Sequence, residues 1–230
     1  MKILFIHIKN RYVIGFITIK GGHRVGISGS VVIEEGKVKN INYISNLNFR
    51  IAKQIIGAAD GIIPYLIDNG KIKNTLIASV PGAGKTTILR DLVKQISNGI
   101  PKYNFFGKTV GVVDERGEIA ACFQGIIQND LGIRTDVLSN IPKSMGMKML
   151  LRSMSPQVIV ADEIGGKEDV DAINYITNSG VKGIFTAHAS SMQNLKKNKT
   201  INELIEEKIF EKIIFLSEKE KGKIDSIIDF

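Results

Sequence analysis

The sequence contains a single cysteine, Cys122, and no tryptophan among its 230 residues. One cysteine cannot form a disulfide within the chain, and it fits a reducing compartment. The sequence also has no CxxC motif and no cluster of cysteine with histidine, so we expect no structural zinc site. Only 7% of the residues are aromatic, which leaves few side chains on which nucleic-acid bases could stack.

The sequence also lacks a long hydrophobic run: no stretch reaches the roughly 18 apolar residues that a membrane-spanning helix needs. Residues 1–8 (MKILFIHI) begin like a signal peptide, but the run is short and no cleavage site follows it. The formal net charge of +8 is spread along the chain, and its densest segment, residues 196–199, lies in a predicted loop. We therefore predict a globular cytoplasmic protein with a solvated surface. Weak attraction to an anionic membrane is the second interpretation, and we do not expect nucleic acid as a partner.

The most informative stretch is residues 74–92, NTLIASVPGAGKTTILRDL. A short apolar run predicts a strand, and a glycine-rich turn then leads into an apolar-periodic helix. In this arrangement consecutive backbone N–H groups can surround a phosphate. Lys85 would reach the β- and γ-phosphates of ATP, and the Thr86 hydroxyl would hold Mg²⁺. The residues predicted to bind the nucleotide are Pro81, Gly82, Ala83, Gly84, Lys85, Thr86 and Thr87.

This stretch departs from the phosphate-loop pattern G-x-x-x-x-G-K-[ST] at one position. Ser79 stands where the pattern has its first glycine, and it could restrict the turn because only glycine adopts positive φ at little cost. The alternative is a glycine-rich turn in an unrelated α/β domain. The strand before the turn and the helix after it favour nucleotide binding, since the motif requires that context.

Three further apolar runs lead into polar residues that suit phosphate or metal chemistry. They predict strands at residues 109–113, 158–161 and 183–187. Strands that alternate with helical patterns predict a mostly parallel sheet, and ligands bind at the carboxyl edge of such sheets. We therefore predict an α/β fold with a RecA-like P-loop NTPase core, in which helices flank the sheet.

The chain is predicted to divide into two domains. Residues 1–48 look like a small β-rich domain with a hairpin of residues 31–33 and 38–43. Residues 49–230 would form the P-loop domain. The other predicted elements are a helix over residues 48–66 with an apolar stripe, a helix opened by a capping box at residues 200–203, and a hairpin of residues 211–216 and 223–228.

Acidic residues follow two of the predicted strands. Asp162 would hold Mg²⁺ through water, and Glu163 would orient and polarise the attacking water, because phosphoryl transfer mostly needs positioning and charge compensation. The alternative is a solvated acidic turn. In the second group, residues 114–118 (DERGE), one carboxylate could hold the nucleophilic water, or Arg116 could reach the phosphates of a neighbouring subunit. A salt-bridged loop is the alternative there.

His188, at the end of another predicted strand, could neutralise charge near the γ-phosphate. A single histidine is more often part of a hydrogen-bonded structure, and the residues alone favour that interpretation. Arg134 and Arg152 are candidates for an arginine supplied to a neighbouring subunit, and Arg24 and Arg50 could reach toward a bound nucleotide.

Taken together, these motifs resemble the stage III sporulation protein AA family, ATPases of spore-forming bacteria. The resembling segments are residues 17–32, 45–60, 81–92, 110–120, 132–138, 147–165 and 183–189. The family is similar to the hexameric ATPases of type II and type IV secretion. By that similarity VVDERGE matches an aspartate box, VIVADE a Walker B strand and TAHA a histidine box, which favours catalytic roles for Glu118 and His188.

The resemblance implies a Mg²⁺-dependent ATPase in the mother-cell cytoplasm, acting at the membrane that faces the forespore. It would energise or help assemble a secretion-like channel together with membrane proteins of that channel. It also implies a homo-oligomer, a hexameric ring with ATP at the interfaces, where Arg24 or Arg50 could close on the phosphates.

The sequence departs from its relatives at Ser79, in a short N-terminal region that suggests a truncated start, and in Asp162-Glu163, where secretion ATPases have Gly-Glu. Gly165 likewise replaces an arginine of the secretion ATPases. Two alternatives stay open: a nucleotide-binding scaffold with little turnover, and a nucleic-acid motor of the same P-loop class.

Overall fold

The computed structural model describes residues 15–230, which form two compact units. The first unit consists of residues 15–53 with 121–129, and the second of residues 54–120 with 130–230. The domain boundary predicted after residue 48 stays a prediction. The part of the predicted N-terminal β-rich region that precedes residue 15 lies outside the described residues.

The first unit contains three strands: β1 Phe16–Thr18, β2 Arg24–Glu34 and β3 Lys37–Arg50. They form an antiparallel sheet in the order β1–β2–β3. The predicted hairpin is confirmed, with Val31 paired to Ile41. Its two turn residues, Glu35 and Gly36, have φ of +50° and +72°, the left-handed pair whose twist matches that of a hairpin.

The helix predicted over residues 48–66 is wrong. A run of turns follows β3 instead, and only the short helix α1, Ile63–Leu66, forms. The carboxylate of Asp91 accepts hydrogen bonds from the backbone N–H groups of Gly57 (3.2 Å) and Ala59 (2.9 Å). These donors are therefore satisfied by a side chain distant in sequence rather than by a local helix. Three isoleucines of the predicted apolar stripe, Ile51, Ile55 and Ile56, are exposed to solvent.

The second unit contains eleven strands, and seven of them form one large sheet. In chain order the strands are β4 Ile67–Asp68, β5 Lys71–Ile72, β6 Thr75–Ser79, β7 Gly99–Ile100, β8 Phe105–Phe106, β9 Val110–Asp114, β10 Thr135–Ser139, β11 Val158–Ala161, β12 Lys182–His188, β13 Lys212–Leu216 and β14 Ile224–Asp229. The sheet has the order β10–β9–β11–β12–β6–β13–β14. Its strands are parallel except for β14, which pairs antiparallel with β13 to form the predicted C-terminal hairpin.

Helices connect the strands of the sheet. They are α2 Lys85–Asn98, α3 Lys143–Met154, α4 Lys167–Asn178, α5 Met192–Lys197 and α6 Lys199–Glu206, with a short 3₁₀ helix at Pro101–Tyr103. β6, β9 and β11 are buried along their whole length, as expected for parallel strands with both faces covered. Because β9, β11, β12 and β6 are neighbours, their carboxyl ends lie side by side at one edge of the sheet.

Helix α6 begins before the predicted capping box. Its N-cap is Asn198, whose side-chain oxygen accepts hydrogen bonds from the backbone N–H groups of Thr200 (3.1 Å) and Ile201 (3.3 Å). The basic segment 196–199 is therefore a junction between two helices, and its prediction as a loop is wrong, because an asparagine caps the second helix directly after the first ends. Across residues 15–230, no helix is long and apolar enough to cross a membrane.

Candidate active site

The predicted phosphate loop connects β6 to α2. Gly82 and Gly84 have φ of +79° and +102°, so the loop places glycine at the two positions where a side chain would be strained. Ser79 is the last residue of β6 and is not among the residues with positive φ. Its replacement of glycine therefore imposes no backbone strain at that position.

The side chain of Lys85 is buried beneath this loop, with 5% of the residue exposed. Its ammonium lies within hydrogen-bond distance of the carbonyl of Ser79 (3.0 Å), the hydroxyl of Ser79 (3.1 Å) and the carbonyl of Val80 (3.1 Å). Burial lowers the pKa of Lys85, and the negative charges of Asp162 and Glu163 oppose this shift. A partly desolvated ammonium at this position gains from an additional anion such as a phosphate.

Two hydroxyls hold the carboxylate of Asp162. Thr86 donates a hydrogen bond to Oδ2 (2.7 Å), and Thr186 donates to Oδ1. The oxygens of Thr86 and Asp162 are the hard ligands that Mg²⁺ prefers, so this pair fits the predicted metal site. Among residues 15–230, no group of three or more His, Cys, Asp or Glu side chains could hold a metal.

Glu163 has φ of +53°, in the left-handed region. Its carboxylate contacts Arg116 Nη1 at 2.5 Å and His188 Nε2 at 2.8 Å. The other ring nitrogen of His188, Nδ1, lies 3.1 Å from Lys85 Nζ. Because an ammonium can only donate, Nδ1 accepts and the proton resides on Nε2, which donates to Glu163. His188 therefore bridges the loop lysine and the predicted catalytic glutamate.

Asp114 fixes the acidic loop that follows β9. Its buried carboxylate accepts hydrogen bonds from the backbone N–H groups of Glu118 (2.8 Å), Ile119 (3.1 Å) and Ala120 (2.8 Å). With all these bonds made within the loop, Asp114 holds the loop in shape. Glu118 and the paired acids Asp162-Glu163 line one small cavity, and the predicted catalytic role of Glu118 stays a prediction.

Arg90, on α2, was not singled out from the sequence although it lies at this site. Its Nε donates to the carbonyl of Glu118 at 3.0 Å. Burial lowers the pKa of Arg90, while the charges of Asp114, Glu118 and Asp162 oppose that shift. The arginine therefore ties the acidic loop to the helix that begins at the phosphate loop. A charged residue within the apolar-periodic pattern of α2 was the available signal.

Four other arginines are predicted to act on a nucleotide: Arg24, Arg50, Arg134 and Arg152. Arg134 is exposed, and its Nη1 donates to the carbonyl of Ser97 at 3.0 Å. Arg152 is exposed in the last turn of α3. Arg24 and Arg50 are paired across β2 and β3 in the first unit. Their action on a neighbouring subunit stays a prediction.

The chain matches the model of the family described as "Sporulation stage III, protein AA" over residues 4–230. The chain belongs to this family. It is 45% identical over 216 residues to stage III sporulation protein AA of Bacillus subtilis (strain 168), covering 94% of this chain and 69% of that relative. It is also 32% identical over 165 residues to the uncharacterized protein ycf45 of Cyanidium caldarium, covering 70% of this chain and 46% of that relative. The family predicted from the motifs is confirmed.

Solved structures with a similar fold include the ATPase DotB and the pilus retraction motor PilT. The ATPase DotB of Legionella pneumophila has a TM-score of 0.56 at 15% identity, covering 84% of this chain and 53% of that one. The pilus retraction motor PilT with bound ADP has a TM-score of 0.52 at 13% identity, covering 84% and 54%. The sporulation family member thus spans about half of each of these chains, and the predicted α/β fold with a P-loop core is confirmed.

Proposed function

We propose that this protein is a Mg²⁺-dependent ATPase. One observation carries the proposal: Lys85, Thr86, Asp162, Glu163 and His188 form a connected set at the carboxyl edge of one parallel sheet. Phosphoryl transfer needs groups that position phosphate, metal and water more than it needs covalent chemistry. The family and the likeness of the fold to DotB support the same reaction.

The phosphate loop would bind the nucleotide. Lys85 would exchange the carbonyls of Ser79 and Val80 for the β- and γ-phosphates, because an ammonium bonds more strongly to an anionic oxygen than to a neutral one. The loop glycines allow its backbone N–H groups to approach the phosphates closely. A bound Mg²⁺, held by Thr86 and through water by Asp162, would neutralise charge on the phosphate oxygens.

Glu163 would orient the attacking water and polarise it. Its carboxylate is held from two sides by Arg116 and His188, so water must take the place of one partner or share an oxygen with it. Arg116 is the more readily displaced, since its side chain is 64% exposed. In this mechanism Arg116 leaves Glu163 for the phosphates, of the same subunit or of a neighbouring one, when a nucleotide binds.

The cellular part of the proposal follows the family. The ATPase would energise, or help assemble, a secretion-like channel between the mother cell and the forespore. It would act from the mother-cell cytoplasm at the membrane, as a hexameric ring whose partners are membrane proteins of that channel. Arg24, Arg50, Arg134 and Arg152 are the arginines that a neighbouring subunit could supply to the nucleotide.

The test is ATP binding and steady-state hydrolysis by the purified protein with Mg²⁺, measured beside its oligomeric mass at each protein concentration. Hydrolysis that rises with assembly would support the proposed ATPase and would indicate that catalysis takes place at subunit interfaces. Absence of ATP binding at millimolar nucleotide contradicts the proposal.

A nucleotide-binding scaffold with little turnover is the second candidate. It is favoured by the contacts of Glu163, since both oxygens of the carboxylate are engaged by Arg116 and His188. Tight ATP binding by the assembled protein without hydrolysis would favour this candidate over the proposed ATPase.

Replacing Ser79 with glycine tests the departure in the phosphate loop. The change removes one of the oxygens that hold Lys85, so ATP affinity should stay unchanged or become up to about tenfold tighter, the range expected for one hydrogen bond. Ser79→Ala is the matched control, because it removes the hydroxyl without adding backbone freedom. A large loss of affinity in both variants, measured by calorimetry, would mean instead that the hydroxyl contacts the nucleotide.

A further inference from the structure

Thr186 makes three hydrogen bonds to the turn that carries the paired acids. Its hydroxyl donates to Asp162 Oδ1 and accepts from the backbone N–H of Glu163 at 2.8 Å. Its carbonyl accepts from the backbone N–H of Ile164 at 2.8 Å. Thr186 is completely buried, so these bonds are shielded from competition with water.

The strand order explains why this threonine meets the acidic turn. β12 lies between β11 and β6, and the last residue of β11, Ala161, is paired with Phe185. Thr186 is therefore the first residue of β12 beyond the end of β11, opposite the point where the chain turns into Asp162. On its other side Thr186 is paired with Ile77 of β6, which fixes it between the two strands that carry the phosphate loop and the acids.

These contacts set the geometry of both acids. Glu163 has a left-handed backbone, with φ of +53°, which a non-glycine residue keeps only when its surroundings hold it there. The hydroxyl and the carbonyl of Thr186 bind the two successive N–H groups that fix this turn. Asp162 is held through one oxygen by Thr186, so its other oxygen faces Thr86 at 2.7 Å, where the metal is expected.

We propose that Thr186 is a positioning residue that orients Asp162 toward the metal and Glu163 toward the attacking water. This inference rests on the proposed ATPase function. Thr186 touches neither nucleotide nor water in this scheme, and it acts only through the two acids. A purely structural role, as a buried hydroxyl that stabilises the sheet, is the alternative.

The chain offers a matched control for that alternative. Thr75 is also completely buried, on the neighbouring strand β6, and its hydroxyl donates to the carbonyl of Lys73 at 2.9 Å. It begins β6 at the end of the sheet opposite to Ser79 and the site. Thr186→Val and Thr75→Val therefore remove the same atom from equally buried threonines, but only the first change removes a bond to an acid.

The experiment compares wild type, Thr186→Val, Thr186→Ser and Thr75→Val in kcat, in ATP Kd with and without Mg²⁺, and in Tm. Thr186→Val should lower kcat by about 10- to 100-fold, the usual effect of removing a group that orients a metal site. It should weaken the enhancement of ATP binding by Mg²⁺ while leaving the metal-free Kd nearly unchanged. Thr186→Ser, which keeps the hydroxyl, should restore kcat, and Thr75→Val should lower Tm alone.

Equal kcat in Thr186→Val and Thr75→Val, or failure of the serine to restore activity, overturns the proposal. A measurement without nucleotide separates this failure from failure of the ATPase function itself. Amide hydrogen exchange at Glu163 and Ile164 should become faster in Thr186→Val and not in Thr75→Val. If wild type neither binds nor hydrolyses ATP, the proposed ATPase function is wrong. Independently of that result, unchanged hydrogen exchange at these two amides would contradict the positioning role of Thr186.

Discussion

Replacing Glu163 with glutamine is expected to remove most ATP hydrolysis while ATP binding remains. Glutamine has the same shape, and its side-chain oxygen can still accept the hydrogen bond that His188 Nε2 donates at 2.8 Å. The neutral amide cannot accept a proton from water, and it loses the ion pair with Arg116. We expect kcat to fall by about 10²- to 10⁴-fold, the usual contribution of a general base, and the ATP Kd to change by less than about threefold, since the amide keeps the geometry of the site.

The matched control for this variant is Glu211→Gln. Glu211 also forms an ion pair, with Lys182 at 2.6 Å, and is likewise partly exposed. It lies just before β13, at the amino end of the sheet, so its replacement should leave kcat unchanged. Single-turnover hydrolysis and equilibrium binding of a fluorescent ATP analogue measure the two quantities separately. Parallel loss of binding and hydrolysis in Glu163→Gln would contradict the role assigned to the glutamate.

The sheet could be predicted because its strands are short and almost wholly apolar. The predicted strands at 158–161 and 183–187 agree with β11 and β12 to within a residue at each end. A parallel strand buried on both faces leaves an uninterrupted apolar run, and the polar residue that ends it is visible in the sequence. The order of the strands is a different matter, because it depends on pairing between residues that lie far apart in the chain.

The failed helix over residues 48–66 illustrates the same limit. Its apolar residues repeat with helical spacing, yet Ile51 and Ile56 are exposed. The backbone there bonds to Asp91, which lies more than thirty residues along the chain. Hydrophobic periodicity depends only on residues that are close together in the sequence. It therefore gives no sign of a distant side chain that accepts the hydrogen bonds of the backbone.

In the candidate site, the types of the functional residues could be predicted from the sequence, but the contacts between them could not. Lys85 could be singled out from the phosphate-loop motif and Asp162 from its place at the end of a predicted strand, whereas a catalytic role for His188 came only from the family resemblance. The bridge from Lys85 through His188 to Glu163 could not be predicted, because it requires that β12 lie between β6 and β11. Ser79 shows the converse: the sequence suggested backbone strain, whereas the residue continues β6 and its hydroxyl holds Lys85.

Replacing Lys85 with alanine should have the largest effect on ATP binding. Its ammonium is the buried positive charge under the phosphate loop, and charge-assisted hydrogen bonds contribute about 1.5–3 kcal/mol each. We expect ATP affinity to fall by about 10- to 100-fold and hydrolysis to become undetectable, since charge that develops on the phosphates would lose its nearest compensation. Binding by calorimetry and turnover by phosphate release provide the two measurements.

Lys94→Ala is the control for this change, because it removes a lysine from the same helix. Lys94 forms an ion pair with Asp130 at 2.7 Å, away from the phosphate loop, and its loss should leave both affinity and turnover unchanged.

The loss of Lys85 also changes the hydrogen bonds of its neighbours. Without Lys85 the carbonyls of Ser79 and Val80 and the Nδ1 atom of His188 lose a shared donor, so the loop and the glutamate beyond the histidine would be uncoupled. Unchanged ATP binding and turnover in Lys85→Ala would mean that the nucleotide site lies elsewhere on the chain, because no phosphate could sit in this loop without meeting that charge.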